Sequence, residues 1–269
     1  MNAGDTAWVL TSAALVLLMT PGLALFYGGM VRSKSVLNMM MMSFGAIGVI
    51  GVLWTLYGYS MAFGDDVGGG LVGSPTEFFG LTSLTGTNGL EGGFVSKELL
   101  FTIPSMAFVA FQSVFAIITV ALISGAIADR AKFGTWMIFT AVWSTVVYFP
   151  VAHWVFAFDG AESEVGGWIA NKLLTIDFAG GTAVHINAGA AGLALAIVLG
   201  KRVGWKRRPD APSQPPARDD RRRSAVVRLV RLQCRLGTRR QRAGSRGVRQ
   251  HPRRHLRGDA RLARHGEGP

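Results

Sequence analysis

The chain has 269 residues, 49% of them hydrophobic and 16% charged, and its mean hydropathy lies above zero; that is more apolar material than one aqueous core requires. The formal net charge of +12 is divided unevenly, since residues 1–200 hold 6 Lys/Arg against 11 Asp/Glu while residues 201–269 hold 22 against 5. The single cysteine, Cys234, excludes a disulfide framework and a cysteine-built metal site.

These numbers predict an all-α, polytopic transmembrane helix bundle. The first apolar run, about residues 8–28, has Asp5 before it and no basic residue, so it reads as a retained span rather than a secretory leader. Pro21-Gly22 is expected to kink it, which a bundle tolerates because neighbouring helices satisfy the freed carbonyls. Four further charge-free runs follow at about 36–63, 99–128, 133–158 and 178–200. A large soluble helical core would need charged faces on some of these helices, and none has one. The run Met39-Met40-Met41-Met42 reads as packing or lipid-facing surface. The fifth run is crowded with small residues, among them Ala188, Gly189 and Gly192, which suits a helix inside a bundle.

Orientation follows from the connectors. Arg32 and Lys34, then Arg130 and Lys132, then Lys201, Arg202, Lys206 and Arg207 fall on one side, which the positive-inside rule makes cytoplasmic. The other side receives Asp5, Asp65, Asp66, Glu77, Glu91, Asp159, Glu162 and Glu164. The chain is therefore expected in the cell membrane with its N-terminus outside.

Polar groups at membrane depth are costly, so each needs a reason. His185 and Asn187 lie inside the fifth run; His185 reads either as a pathway residue or as a structural hydrogen-bond partner. Asp177 stands where the fifth helix begins. It is either a helix cap or also a source of field that attracts a cation. His153 and Trp154 close the fourth run beside Phe156 and Phe158. Trp there is ordinarily an interfacial anchor, although aromatic faces also bind small cations. A membrane enzyme would need several convergent ionisable groups at one depth, and only Asp177, His153 and His185 are candidates, so no catalytic residues are expected. No cofactor and no metal site is expected either.

The stretch Asp177-Phe178-Ala179-Gly180-Gly181-Thr182-Ala183-Val184-His185-Ile186-Asn187-Ala188-Gly189 resembles the signature of the ammonium transporter (Amt/Mep) family, relatives of the Rhesus proteins. Matches in the right order are Pro21 to Gly29, Tyr57 to Gly64, and Phe111 to Thr119. The resemblance covers about 200 residues. It implies eleven-helix protomers in a homotrimer, each with a narrow apolar pore between two inverted five-helix halves, of which this chain has the first. Carried over by position, Phe115 is a gate and His185 the first of two pore histidines. The resemblance further implies recruitment of ammonium on aromatic rings at Trp154 and Phe156, aided electrostatically by Asp177, then deprotonation and passage of neutral ammonia. Phe156 stands where the family often has Trp, a better cation-π partner. Expected partners are ammonium or ammonia, membrane lipid and a cytoplasmic nitrogen-regulatory protein. An alternative reading is a membrane ammonium sensor or regulator with a basic cytoplasmic tail.

After residue 205 the pattern changes to an Arg/Pro-rich stretch with no apolar run, so residues 1–205 are the membrane domain and 206–269 a disordered tail. No aromatic residue follows Trp205 to stack on bases, and no nucleic-acid partner is expected. The tail reads as translation out of frame: residues 227–235 can be encoded so that a one-base shift yields F-G-W-F-G-F-N-A-G, which resembles the family's next helix. A chain lacking the second half-pore is expected to conduct poorly.

Overall fold

A computed structural model describes residues 2–84, 103–159, 163 and 165–202. The tail reading for 206–269 lies outside the described residues, as do Glu91, Glu162 and Glu164. Five helices are long and apolar enough to cross a membrane: α1 (Ala3–Met30), α2 (Ser33–Phe63), α3 (Ser105–Ile127), α4 (Phe133–Phe156) and α5 (Gly181–Leu199).

Local chemistry sets their ends. α1 starts before the expected residue 8 because Asn2 Oδ1 accepts the N–H groups of Gly4 and Asp5 at 2.8 and 3.3 Å. It runs on through Pro21 as one continuous helix. α5 starts at Gly181 because Gly180 takes a left-handed conformation, φ 78°. A side chain there would be strained by backbone and crowding alike, since an added Cβ would meet Val184 Cγ2 at 2.5 Å.

α3 is the centre of the arrangement, packed against α1, α2 and α5. Its most apolar stretch is 61% buried, against 22% for α5. The expectation that α5 lies inside a bundle is not met among the described residues. One face meets α3, with Ala188 buried and Gly192 opposite Ala126. The other presents Ile186, Leu193, Ile197 and Val198 uncovered.

Side chains tie the helices together through backbone carbonyls. Trp54 Nε1 donates to Val109 O at 3.2 Å, joining α2 to α3. Trp136 Nε1 donates to Met42 O at 2.9 Å, joining α4 to α2, and Tyr27 Oη donates to Leu122 O at 3.0 Å, joining α1 to α3. Around Trp54 the rings of Tyr59, Phe63 and Phe149 stand 5.7 to 6.3 Å away, mostly edge-on. Such pairs contribute about 0.5–1.5 kcal/mol each beyond their buried area.

α2, α4 and α5 each contain a widened π turn, at Trp54–Gly58, Ser144–Tyr148 and Gly181–Ile186. The first two face one another. Tyr57 and Thr145 hydroxyls hydrogen-bond at 2.8 Å across them.

The basic end of the bundle is less simple than its positive charges suggest. Asp129, with φ 61°, buries its carboxylate between Arg32 (Nε 3.2 Å) and Arg202 (Nη1 3.8 Å). Neighbouring Arg130 donates to the carbonyls of Ala126 and Gly200, binding the ends of α3 and α5. The arginines read above as orientation signals therefore also clamp three connectors.

Gly58 lets α2 approach α4, since a Cβ there would lie 2.6 Å from the Phe149 ring. Gly58→Val should lower stability by about 1–3 kcal/mol through overpacking. Thermal unfolding in detergent, compared with an exposed Gly48→Val control where a Cβ meets nothing within 4 Å, measures it.

Candidate functional site

The site is built around the start of α5. Asp177 precedes the helix, and its carboxylate accepts three of the helix's free backbone N–H groups. Oδ1 takes Gly181 N at 2.6 Å; Oδ2 takes Thr182 N at 2.7 Å and Ala183 N at 3.0 Å. These donors have no partner within the helix, and charge-assisted bonds to them are about twice as strong as neutral ones. The cap fixes the π turn in which His185 stands. The left-handed Gly180 carbonyl accepts both Val184 N and His185 N at 3.0 Å, closing that turn.

His185 is exposed on the open side of α5, next to the uncovered Ile186. Val184 points the other way, buried, into a small apolar cluster with Val16, Leu23, Val114, Ile118 and Ala121. Phe115 packs against that cluster and meets Phe111 edge-on at 5.0 Å. Two residues distant in sequence, Phe115 on α3 and the turn carrying His185 on α5, are thus brought together through Val184.

Tyr148, fully buried on α4, has the Thr119 hydroxyl of α3 as a hydrogen-bond partner. Thr119 in turn donates to Phe115 O at 2.6 Å. Sequence reasoning passed over both residues. The signal that could have found them is a hydroxyl at mid-span depth on two neighbouring helices, which must pair inside the protein.

Trp154 and Phe156 do not share a face. Two residues along a helix differ by about 200° in direction. Trp154 Nε1 donates to Leu71 O at 2.6 Å, and its ring lies 6.0 Å from that of Trp168. Phe156 is partly buried against the main core. Trp154 thus anchors the acidic loop 64–74 to the end of α4.

At that acidic end, His153 is completely buried, with Nδ1 3.2 Å from Ala62 O and Nε2 3.5 Å from Asp66 Oδ1. Burial raises the Asp66 carboxyl, but N–H donors from Gly70 and Gly68, the nearby His153 ring and Val72 N–H outweigh it. They hold the group below the usual carboxylate range. Among the described residues, no group of three or more His, Cys, Asp or Glu is placed to hold a metal ion.

Comparison with known proteins follows the same outline. Residues 7–217 match the model of the Ammonium Transporter Family. The ammonium transporter of Mycobacterium tuberculosis strain H37Rv is 67% identical over 210 residues, which is 76% of this chain and 44% of that protein. That of Bacillus subtilis strain 168 is 48% identical over 204 residues, covering 75% and 45%. The crystal structure of Saccharomyces cerevisiae Mep2 superimposes with a TM-score of 0.63 at 35% identity, covering 75% of this chain and 41% of that one. The chain spans less than half the length of the curated relatives it matches.

Asp177→Ala should leave three N–H groups unpaired and destabilise the start of α5 by about 1–3 kcal/mol. Asp177→Asn keeps one carboxylate-like oxygen and should recover part of that. Hydrogen exchange at Gly181, Thr182 and Ala183 reads the local effect; unchanged protection in the alanine variant would contradict the cap.

Proposed function

The chain belongs to the ammonium transporter family, and on that premise we propose that it supplies one half of the wall of a membrane pathway for ammonium and ammonia. The observation that carries this reading is the capped turn at the head of α5. It turns His185 to the open side of the helix while Val184 fastens the same turn beside Phe115.

The chemistry suits the substrate. An ammonium ion is too strongly hydrated to enter hydrocarbon, whereas neutral ammonia crosses an apolar lumen readily. Asp177 places a carboxylate near the acidic end, and aromatic rings offer cation-π attraction where the ion loses water. Phe156 serves recruitment in this reading; Trp154 supports it by holding the outer loop. Phe115 acts as the gate. His185 lines the dry segment beyond, where an imidazole can pass or share a proton with a hydrogen-bonded neighbour.

In the proposal the acidic end faces outward, the N-terminus with it, and the protein sits in the cell membrane as a homotrimer. The basic connectors support that orientation. A cysteine introduced at Lys132 should resist an impermeant reagent added outside and react once the membrane is opened. Labelling of intact cells at that position would reverse the topology.

Function is tested by joining residues 1–201 to the remaining portion of the Mycobacterium tuberculosis relative and measuring methylammonium uptake in cells without ammonium transporters of their own. His185→Ala should reduce uptake at least about tenfold, equivalent to ~1.4 kcal/mol, while oligomer assembly falls far less. Equal losses of assembly and uptake would make the histidine structural. No uptake by the parent fusion, once assembled, would defeat the transport reading.

A further inference from the structure

The acidic end contains a buried acid–base pair that the transport reading leaves unused. His153 Nδ1 faces the Ala62 carbonyl at 3.2 Å, and Nε2 faces Asp66 Oδ1 at 3.5 Å. Both neighbours are acceptors. A neutral imidazole has one hydrogen and one lone pair, so either tautomer turns a lone pair toward an oxygen. Nε2 and Asp66 Oδ1 are both buried and each lacks a well-formed hydrogen bond. One added proton on the ring resolves both contacts.

The surroundings favour an ionised Asp66. N–H groups of Gly68, Gly70 and Val72 point at the Asp66 carboxylate, which offsets part of the cost of burying an ion pair. Two other carboxylates among the described residues of this end are engaged: Glu77 accepts Asp65 N–H at 2.6 Å and Asp159 accepts Gly166 N–H at 2.6 Å. The pair also sits at a mechanical junction. Asp66 N donates to Val165 O at 3.0 Å, Trp168 N donates to Gly70 O at 3.2 Å, and Trp154 Nε1 reaches Leu71 O in the same loop. Gly167 passes so close to α4 that a Cβ there would collide with His153 O.

We propose that His153 and Asp66 hold a proton between them as imidazolium and carboxylate, and that this pair latches loop 64–74 onto the end of α4. His153 and Asp66 are then positioning residues for Trp154 and Phe156. Their importance for ammonium recruitment rests on the transport reading; the proton and the latch do not.

The test uses the whole chain in lipid vesicles at pH 7, with 15N-labelled histidine and with spin labels at the exposed positions Val67 and Leu174. His153→Gln identifies the ring signals. In the unaltered chain both His153 nitrogens should carry hydrogen, and Asp66→Asn, nearly the same shape, should remove one. Asp66→Ala and His153→Ala should each broaden the distance distribution between the labels, and the double variant should be no broader than the worse single one. A singly protonated His153 ring in the unaltered chain overturns the proposal, as does an unchanged distance in Asp66→Ala or additive broadening in the double variant. Neither readout depends on uptake, so failure of transport would leave these signals in place, and a neutral His153 would leave transport to be judged separately.

Discussion

Inside hydrocarbon there is no water to satisfy a polar group, and the architecture depends on how the protein meets that constraint. Helices absorb the backbone, and many side-chain donors find a carbonyl either on their own helix, as Thr119 does, or across on a neighbouring one. Trp54, Trp136 and Tyr27 do so by donating to carbonyls of α3 and α2. The acceptors are carbonyls already engaged in helical bonding, which can take a second donor. Each such bond fixes both the rotation and the height of one helix against another, something dispersion between smooth apolar surfaces does poorly.

The two ends of the bundle answer the same constraint with charge. At the basic end Asp129 gathers Arg32 and Arg202, while Arg130 closes the carbonyl ends of α3 and α5. At the acidic end Asp177 satisfies the opposite terminus of α5. α5 therefore has both its termini tied by ionic groups even though much of its length is uncovered. That explains how a helix with one bare face keeps a defined register against α3.

The bare face is also where the functional argument lies. His185 stands on it, and the chain spans less than half the length of the relatives it matches. In the proposed reading this face, apolar but for its histidine, is one wall of a path completed by another. The three π turns belong to the same picture, since widening a turn re-aims side chains without breaking the helix.

The sequence by itself determined the five spans, their apolar character and the family resemblance. Hydropathy is a local, additive property, and the motif around Asp177 and His185 is contiguous. Helix limits were less legible where a single residue decided them, by a side-chain cap at Asn2 and by backbone conformation at Gly180. Only the tertiary structure decided which polar groups meet. Arg32 and Asp129 are 97 residues apart, His153 and Ala62 are 91 apart, and nothing in either local stretch names the other. It also tied Trp154 to Leu71 O and to the Trp168 ring, partners that its own stretch of sequence does not name. Membrane burial can be summed along a chain, but a hydrogen-bond partner is a matter of angle and distance between helices, which exists only once they are packed.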